Sequence, residues 1–135
     1  MGPSEAVMDT NNPMTAWVVD DEAVNRALAS AFLKRLGWDT REFASGGEAL
    51  EASSQGLPPL MIIDIRMPRM SGTDLVRTLR QHPDAQRTCF IAYTAHCLTD
   101  EASALLDEGF HRVLSKPVSF QQMQEAAQHV PFSRN

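Results

Sequence analysis

The feature that most limits the fold is the run Leu60-Met61-Ile62-Ile63-Asp64, apolar without interruption until it ends on an acid. A strand with one wet face alternates apolar and polar residues. An unbroken run needs cover on both faces, as a parallel strand has between two layers of helices. Runs of the same kind stand at residues 16–19, stopped by Asp20-Asp21, and at residues 89–93, closed by Thr94. Residues 38–43 are a weaker strand candidate, and residues 110–114 a last short strand leading into Ser115-Lys116-Pro117.

Amphipathic stretches separate these runs. Val24, Leu28, Phe32 and Leu36 recur every fourth residue, a helical face closed by Gly37. Ser45-Gly46-Gly47 opens a helix near residues 48–53, with Ala49, Leu50 and Ala52 among its apolar positions. Ser71 caps a helix running to about residue 81, with Leu75, Val76 and Leu79 turned inward and His82-Pro83 as its stop. A fourth helix covers residues 98–108 and ends at Gly109; Ser119 caps a fifth that reaches about residue 130. Five strands alternating with five helices predict an α/β fold with a doubly wound parallel sheet.

At 135 residues the chain is sized for one domain. Residues 1–14 read as a disordered leader or cloning remnant, 15–131 as the folded unit and 132–135 as a tail. The longest apolar run, residues 57–63, carries two prolines and is far short of the ~18 residues that span a bilayer, so no membrane insertion is expected. A net charge of −5 makes direct nucleic-acid binding a poor expectation. The two cysteines, Cys89 and Cys97, with no secretory signal, fit free thiols in a cytoplasmic setting.

The polar residues fall in a pattern of their own. Asp20 and Asp21 follow the first strand, Asp64 the third, Thr94 the fourth and Lys116 the fifth. Ligands of doubly wound sheets bind outside the carboxyl ends of the strands, where strand order reverses. The topology therefore gathers these side chains into one crevice. Three crowded carboxylates need more positive charge than one lysine supplies. A hard divalent cation, Mg²⁺ or Mn²⁺, suits such an all-oxygen set. One carboxylate is then available as a nucleophile toward a phosphoryl group, with a hydroxyl and an ammonium to hold the transferred oxygens. Taken singly, each residue also has an ordinary role as a helix cap, a strand terminus or a surface charge.

Val18-Val19-Asp20-Asp21-Glu22, Asp64-Ile65-Arg66-Met67-Pro68-Arg69-Met70-Ser71-Gly72, Thr94-Ala95-His96 and Ser115-Lys116-Pro117 together resemble the receiver domain of two-component response regulators. Asn25-Arg26 and the stretch from Ala44 to Leu50 resemble, more narrowly, receivers attached to hybrid sensor kinases. The resemblance implies a flavodoxin-like sheet of order 2-1-3-4-5. It implies that Asp64 accepts the phosphoryl group. Asp21 binds Mg²⁺ directly, Asp20 mainly through water, and the Arg66 carbonyl completes the protein ligands. Thr94 and Lys116 hold the phosphoryl oxygens, small Ala95 leaves access open, and the peptide before Pro117 is cis.

It further implies a sensor histidine kinase or histidine phosphotransfer protein as partner, with switching rather than turnover as the purpose. The protein is then a signalling phosphoacceptor that promotes its own phosphorylation and dephosphorylation, a monomer or weak dimer, with an unassigned protein effector downstream. The sequence departs from the family pattern at Val113, where a Tyr or Phe is usual; Phe110 is a poor substitute, being on the other side of the strand by odd–even count. Arg66 and His96, at the mouth, are candidates for tuning the lifetime of the phosphorylated state. His82, His111 and His129 read as surface residues, Met61, Met67, Met70 and Met123 as core filler, and Cys97 as inert before a redox handle. Two other functions remain open: a degenerate receiver used as a docking scaffold, and an aspartate-based phosphatase. The haloacid-dehalogenase type of phosphatase wants a second Asp where Arg66 stands.

Overall fold

The computed structural model describes residues 14–95, 98–128 and 130. Five parallel strands, β1 (Thr15–Val19), β2 (Asp39–Phe43), β3 (Leu60–Asp64), β4 (Cys89–Thr94) and β5 (Arg112–Ser115), form one sheet in the order β2-β1-β3-β4-β5. Five helices connect and follow them: α1 (Ala23–Arg35), α2 (Gly46–Ala52), α3 (Gly72–Leu79), α4 (Thr99–Glu108) and α5 (Phe120–Gln128).

Every residue of β1, β3 and β4 is buried. Alternate positions serve opposite layers. Ala16, Val18, Leu60, Ile62, Ile91 and Tyr93 face a cluster completed by Leu33 of α1 and Met123 of α5. Trp17, Val19, Met61, Ile63, Phe90 and Ala92 face another, completed by Leu75 of α3 and Leu105 of α4. This two-sided burial is the physical reason the strands read as unbroken apolar runs. Both edge strands carry charged or polar residues, which discourages pairing with another chain.

Local chemistry sets the helix starts. The Ser71 hydroxyl accepts from the Asp74 amide while the Asp74 carboxylate accepts from that of Ser71, a reciprocal capping box. Ser45 accepts from the Glu48 amide, and Ser119 and Gln122 satisfy one another in the same manner. Two 3₁₀ turns, at Ser53–Gln55 and Pro83–Arg87, were not visible as sequence patterns.

Three expectations change. Val24 is 81% exposed, although it belongs to the fourfold spacing that predicts a buried face. Steps of four overshoot the 3.6-residue turn by about 40° each, so a stripe in register at Phe32 has rotated out of the core two steps earlier. The last strand begins at Arg112 rather than Phe110. Phe110 lies in the turn before β5, outside the pleat, and packs into the same cluster as Val113. The odd–even separation of the two therefore fails. Finally, α3 ends at Leu79, about two residues before the expected end near Gln81.

Candidate functional site

The carboxyl ends of β1, β3, β4 and β5 meet in one crevice. The Asp20 amide still donates to the Phe43 carbonyl (3.0 Å), so β2 fixes the chain as it leaves β1. The Arg26 guanidinium of α1 donates to the Asp20 carbonyl (2.8 Å) and pairs with Glu42 of β2 (3.3 Å). The Asp20 Oδ1 accepts from the Glu22 amide (2.9 Å), closing a tight turn that carries Asp20 buried and Asp21 exposed.

Asp64 ends β3 and is 3% exposed. The loop after it is held close. The Gly72 amide donates to the Ile65 carbonyl (2.8 Å), and a Cβ at position 72 would collide with the Asp64 carbonyl oxygen. Only glycine permits that approach. Arg69 adopts a φ of 67°, and the Met70 amide donates across it to the Pro68 carbonyl (2.7 Å). A positive φ in a tight γ-turn is a strained conformation for a side-chain-bearing residue. The loop is thus over-determined at both ends.

At the end of β5 the Lys116 amide donates to the Thr94 carbonyl (2.8 Å), and the Lys116–Pro117 peptide is cis. The side chain turns back into the crevice, 8% exposed. Its Nζ lies 3.0 Å from Asp20 Oδ2, 3.1 Å from Asp64 Oδ1 and 3.3 Å from Glu22 Oε1. The Tyr93 ring lies beside it, 5.1 Å from Nζ to the ring centroid. Thr94 is buried one position beyond Tyr93, which is the β4 residue in register with Asp64.

Oxygens of Asp20, Asp21 and Asp64 lie within 4.8 Å of one another. Two like charges at that spacing repel by about 3 kcal/mol at an effective dielectric near 20. Burial, and then the Asp20 charge, push the Asp64 carboxyl up to about 7 against the pull of Lys116. Burial alone would lower Lys116, but its contacts with the Asp20 and Asp64 carboxylates outweigh that and hold its ammonium above the ordinary lysine range. Asp20 Oδ2 is within ion-pair distance of Lys116 yet lacks an aligned hydrogen-bond donor. A buried carboxylate oxygen in that condition, among hard oxygen donors, suits Mg²⁺ or Mn²⁺.

The structure therefore brings together Asp20, Asp21, Asp64 and Lys116, with Thr94 at the adjoining strand end. Arg66 and Ala95 are exposed at the mouth. Arg66 also lines, with Thr94, Glu101 and Leu105, a cleft of about 230 Å³ that opens toward α4. Val113 is half-buried away from the charged cluster, against the α2–α3–α4 layer. His96, Cys97 and His129 lie outside the described residues. His82 and His111 are surface residues with structural partners: His82 Nδ1 accepts from the Asp84 amide, and His111 Nδ1 from the Phe90 amide. Met61, Met67 and Met123 are core residues, as expected. The residues missed as participants are Glu22, Asn25, Arg26 and Glu42. Three of them stand within six residues of Asp20, and Asn25 reaches only Glu22, but the pairs Glu22–Lys116 and Arg26–Glu42 span 94 and 16 residues, and no spacing rule reveals such pairs.

The family model described as the response regulator receiver domain matches residues 16–128. The chain is 30% identical over 122 residues to the sensor histidine kinase RcsC of Salmonella typhi, covering 90% of this chain and 13% of that protein. It is 34% identical over 105 residues to the signal transduction histidine-protein kinase BarA of Escherichia coli K12, covering 78% and 11%. The chain thus spans only a small part of these kinases. Among solved structures, a putative response regulator from Chloroflexus aurantiacus superimposes with a TM-score of 0.81 at 28% identity, covering 87% of this chain and 97% of that one. The chemotaxis protein CheY4 of Vibrio cholerae shares the fold, with a TM-score of 0.79 at 24% identity over 86% and 97%. With the strand order, the acid-lined crevice and this match to nearly the whole described chain, the protein belongs to the response regulator receiver family, the receiver domains of two-component signal transduction.

Proposed function

We propose that Asp64 accepts a phosphoryl group from the phosphohistidine of a sensor kinase or histidine phosphotransfer protein. One observation carries this reading: a single lysine ammonium bridges Asp20 and Asp64 at 3.0 and 3.1 Å while Asp21 completes an all-oxygen cluster. An Asp64 oxygen attacks phosphorus. An O–P bond forms, the P–N bond of the donor breaks, and its electron pair stays on the imidazole nitrogen. Asp21 and Asp64, with the Arg66 carbonyl and with Asp20 mainly through water, would hold Mg²⁺ or Mn²⁺. When bound, the ion neutralises charge on the transferred oxygens.

Lys116 donates to one phosphoryl oxygen and Thr94 turns its hydroxyl onto another. Ala95 leaves the approach to Asp64 open, and Arg66 with His96 tunes water access and so the lifetime of the product. Attack by Asp64, and later by water on the acyl phosphate, is promoted by this same set of residues, so the domain catalyses its own modification and its loss. With Val113 at the family's aromatic position, the change is transmitted without a rotating ring at that site.

Acetyl phosphate with Mg²⁺ tests the reading. Phosphate is expected on the wild type and absent from Asp64→Asn or without divalent ion. Equal labelling of Asp64→Asn would refute it, and a docking scaffold predicts no labelling at all.

A further inference from the structure

Glu22 has no part in the scheme above, yet it makes the third contact on Lys116. Its Oε1 lies 3.3 Å from Lys116 Nζ and accepts from the Asn25 side-chain amide at 2.6 Å. An ammonium has three N–H donors. Asp64 and Glu22 accept hydrogen bonds from it, and Asp20 Oδ2 crowds the same nitrogen at 3.0 Å without an aligned donor. A phosphoryl group on Asp64 brings further acceptor oxygens to the same nitrogen, and one present partner has to yield. The three differ in what yielding costs. Asp64 stays beside the ammonium through the phosphoryl oxygens it then carries, and Asp20 is buried, where an unpaired carboxylate is expensive. The Glu22 side chain is 60% exposed and exchanges its contact for water at little cost.

We infer that Glu22 is a positioning residue for Lys116: it occupies the ammonium in the resting state and gives up its place to the phosphoryl group. The inference rests on the phosphoacceptor reading and adds a consequence to it. The release leaves an uncompensated carboxylate at the start of α1, beside exposed Val24. The mouth then becomes more negative than the phosphoryl group alone makes it, which disfavours a second anionic donor. Asn25 holds the carboxylate within reach in the resting state.

The test measures beryllofluoride affinity at saturating Mg²⁺, read by tryptophan fluorescence, on the wild type, Glu22→Gln and Glu22→Asp. Loss of one exposed ion-pair competitor is worth up to about fivefold. Glu22→Gln is expected to bind two- to fivefold more tightly, on the order of that limit. Glu22→Asp keeps the charge but is too short to reach Nζ, and is expected to bind as the glutamine variant does. Wild-type affinity in Glu22→Asp with tighter binding in Glu22→Gln would assign the effect to general charge and overturn the contact. Unchanged or weaker binding in Glu22→Gln overturns it as well. No beryllofluoride binding by the wild type overturns the phosphoacceptor reading, and the inference falls with it.

Discussion

The two ends of the sheet are built on opposite rules. At the amino end, polar groups find neutral partners. The Thr88 hydroxyl donates to the Pro58 carbonyl (2.8 Å), the Cys89 amide donates to that of Pro59 (2.8 Å), and His111 accepts from the Phe90 amide (3.0 Å) while its ring stacks on Phe90. At the carboxyl end, carboxylates crowd one ammonium, and a buried oxygen of Asp20 lacks an aligned donor. The first arrangement satisfies hydrogen bonds and holds strands in place. The second leaves charge under-compensated, a condition that a cation or phosphoryl chemistry relieves. One sheet carries a structural end and a chemical end.

Removing Lys116 should break the comparison most severely. Lys116→Met strands two buried carboxylates, and a loss of about 3 kcal/mol is expected in denaturant unfolding of the metal-free protein at pH 8. Saturating Mg²⁺ should recover part of that loss. A loss below ~0.5 kcal/mol would mean that the crevice is as well solvated as an ordinary surface. Gly72→Ala comes next. Its methyl group meets the Asp64 carbonyl, so a cost of about 1–3 kcal/mol is expected, together with slowed acetyl phosphate labelling. Unaltered labelling would show that the Asp64 backbone is free to shift.

The pH response sharpens the contrast, because the two ends have opposite signs. Asp64 is raised to about 7 in the folded, metal-free protein, chiefly by burial, so folding favours its protonated form. Its contribution to stability is full below pH ~4 and is lost as pH rises toward 7. His111 is lowered by burial and then by Arg80, so folding favours its neutral form. Its contribution is present above pH ~6.5 and is lost as pH falls through its folded value. Thermal midpoints across pH 4–8 for the wild type, Asp64→Asn and His111→Gln should separate the two slopes. The same slope from both variants would refute the division.

The smallest effect is expected at Val113. Val113→Ala trims a half-buried side chain and should cost about 1 kcal/mol while leaving phosphorylation within twofold of the wild type. A large kinetic defect there would join β5 to the chemistry and blur the distinction.

Much of this was legible before any coordinates. Residues 60–64 announce a two-faced strand, and parallel topology alone carries Asp20, Asp64, Thr94 and Lys116 to one end. Helix caps at Ser45, Ser71 and Ser119 follow from local chemistry. The rest failed for identifiable reasons. Val24 escaped because a spacing of four drifts around the helix, and Phe110 because the period-two count was carried past the end of β5. Glu22 and Arg26 reach Lys116 and Glu42 across 94 and 16 residues, so their roles are tertiary and invisible to spacing.

The central claim is that one particular carboxylate carries the phosphoryl group. Borohydride reduction of the protein after transfer from a phosphorylated histidine donor converts an aspartyl phosphate to homoserine, and peptide mass spectrometry then locates it. The account predicts homoserine at position 64, dependent on Mg²⁺. Homoserine at another aspartate, or at 64 irrespective of divalent ion, would contradict it.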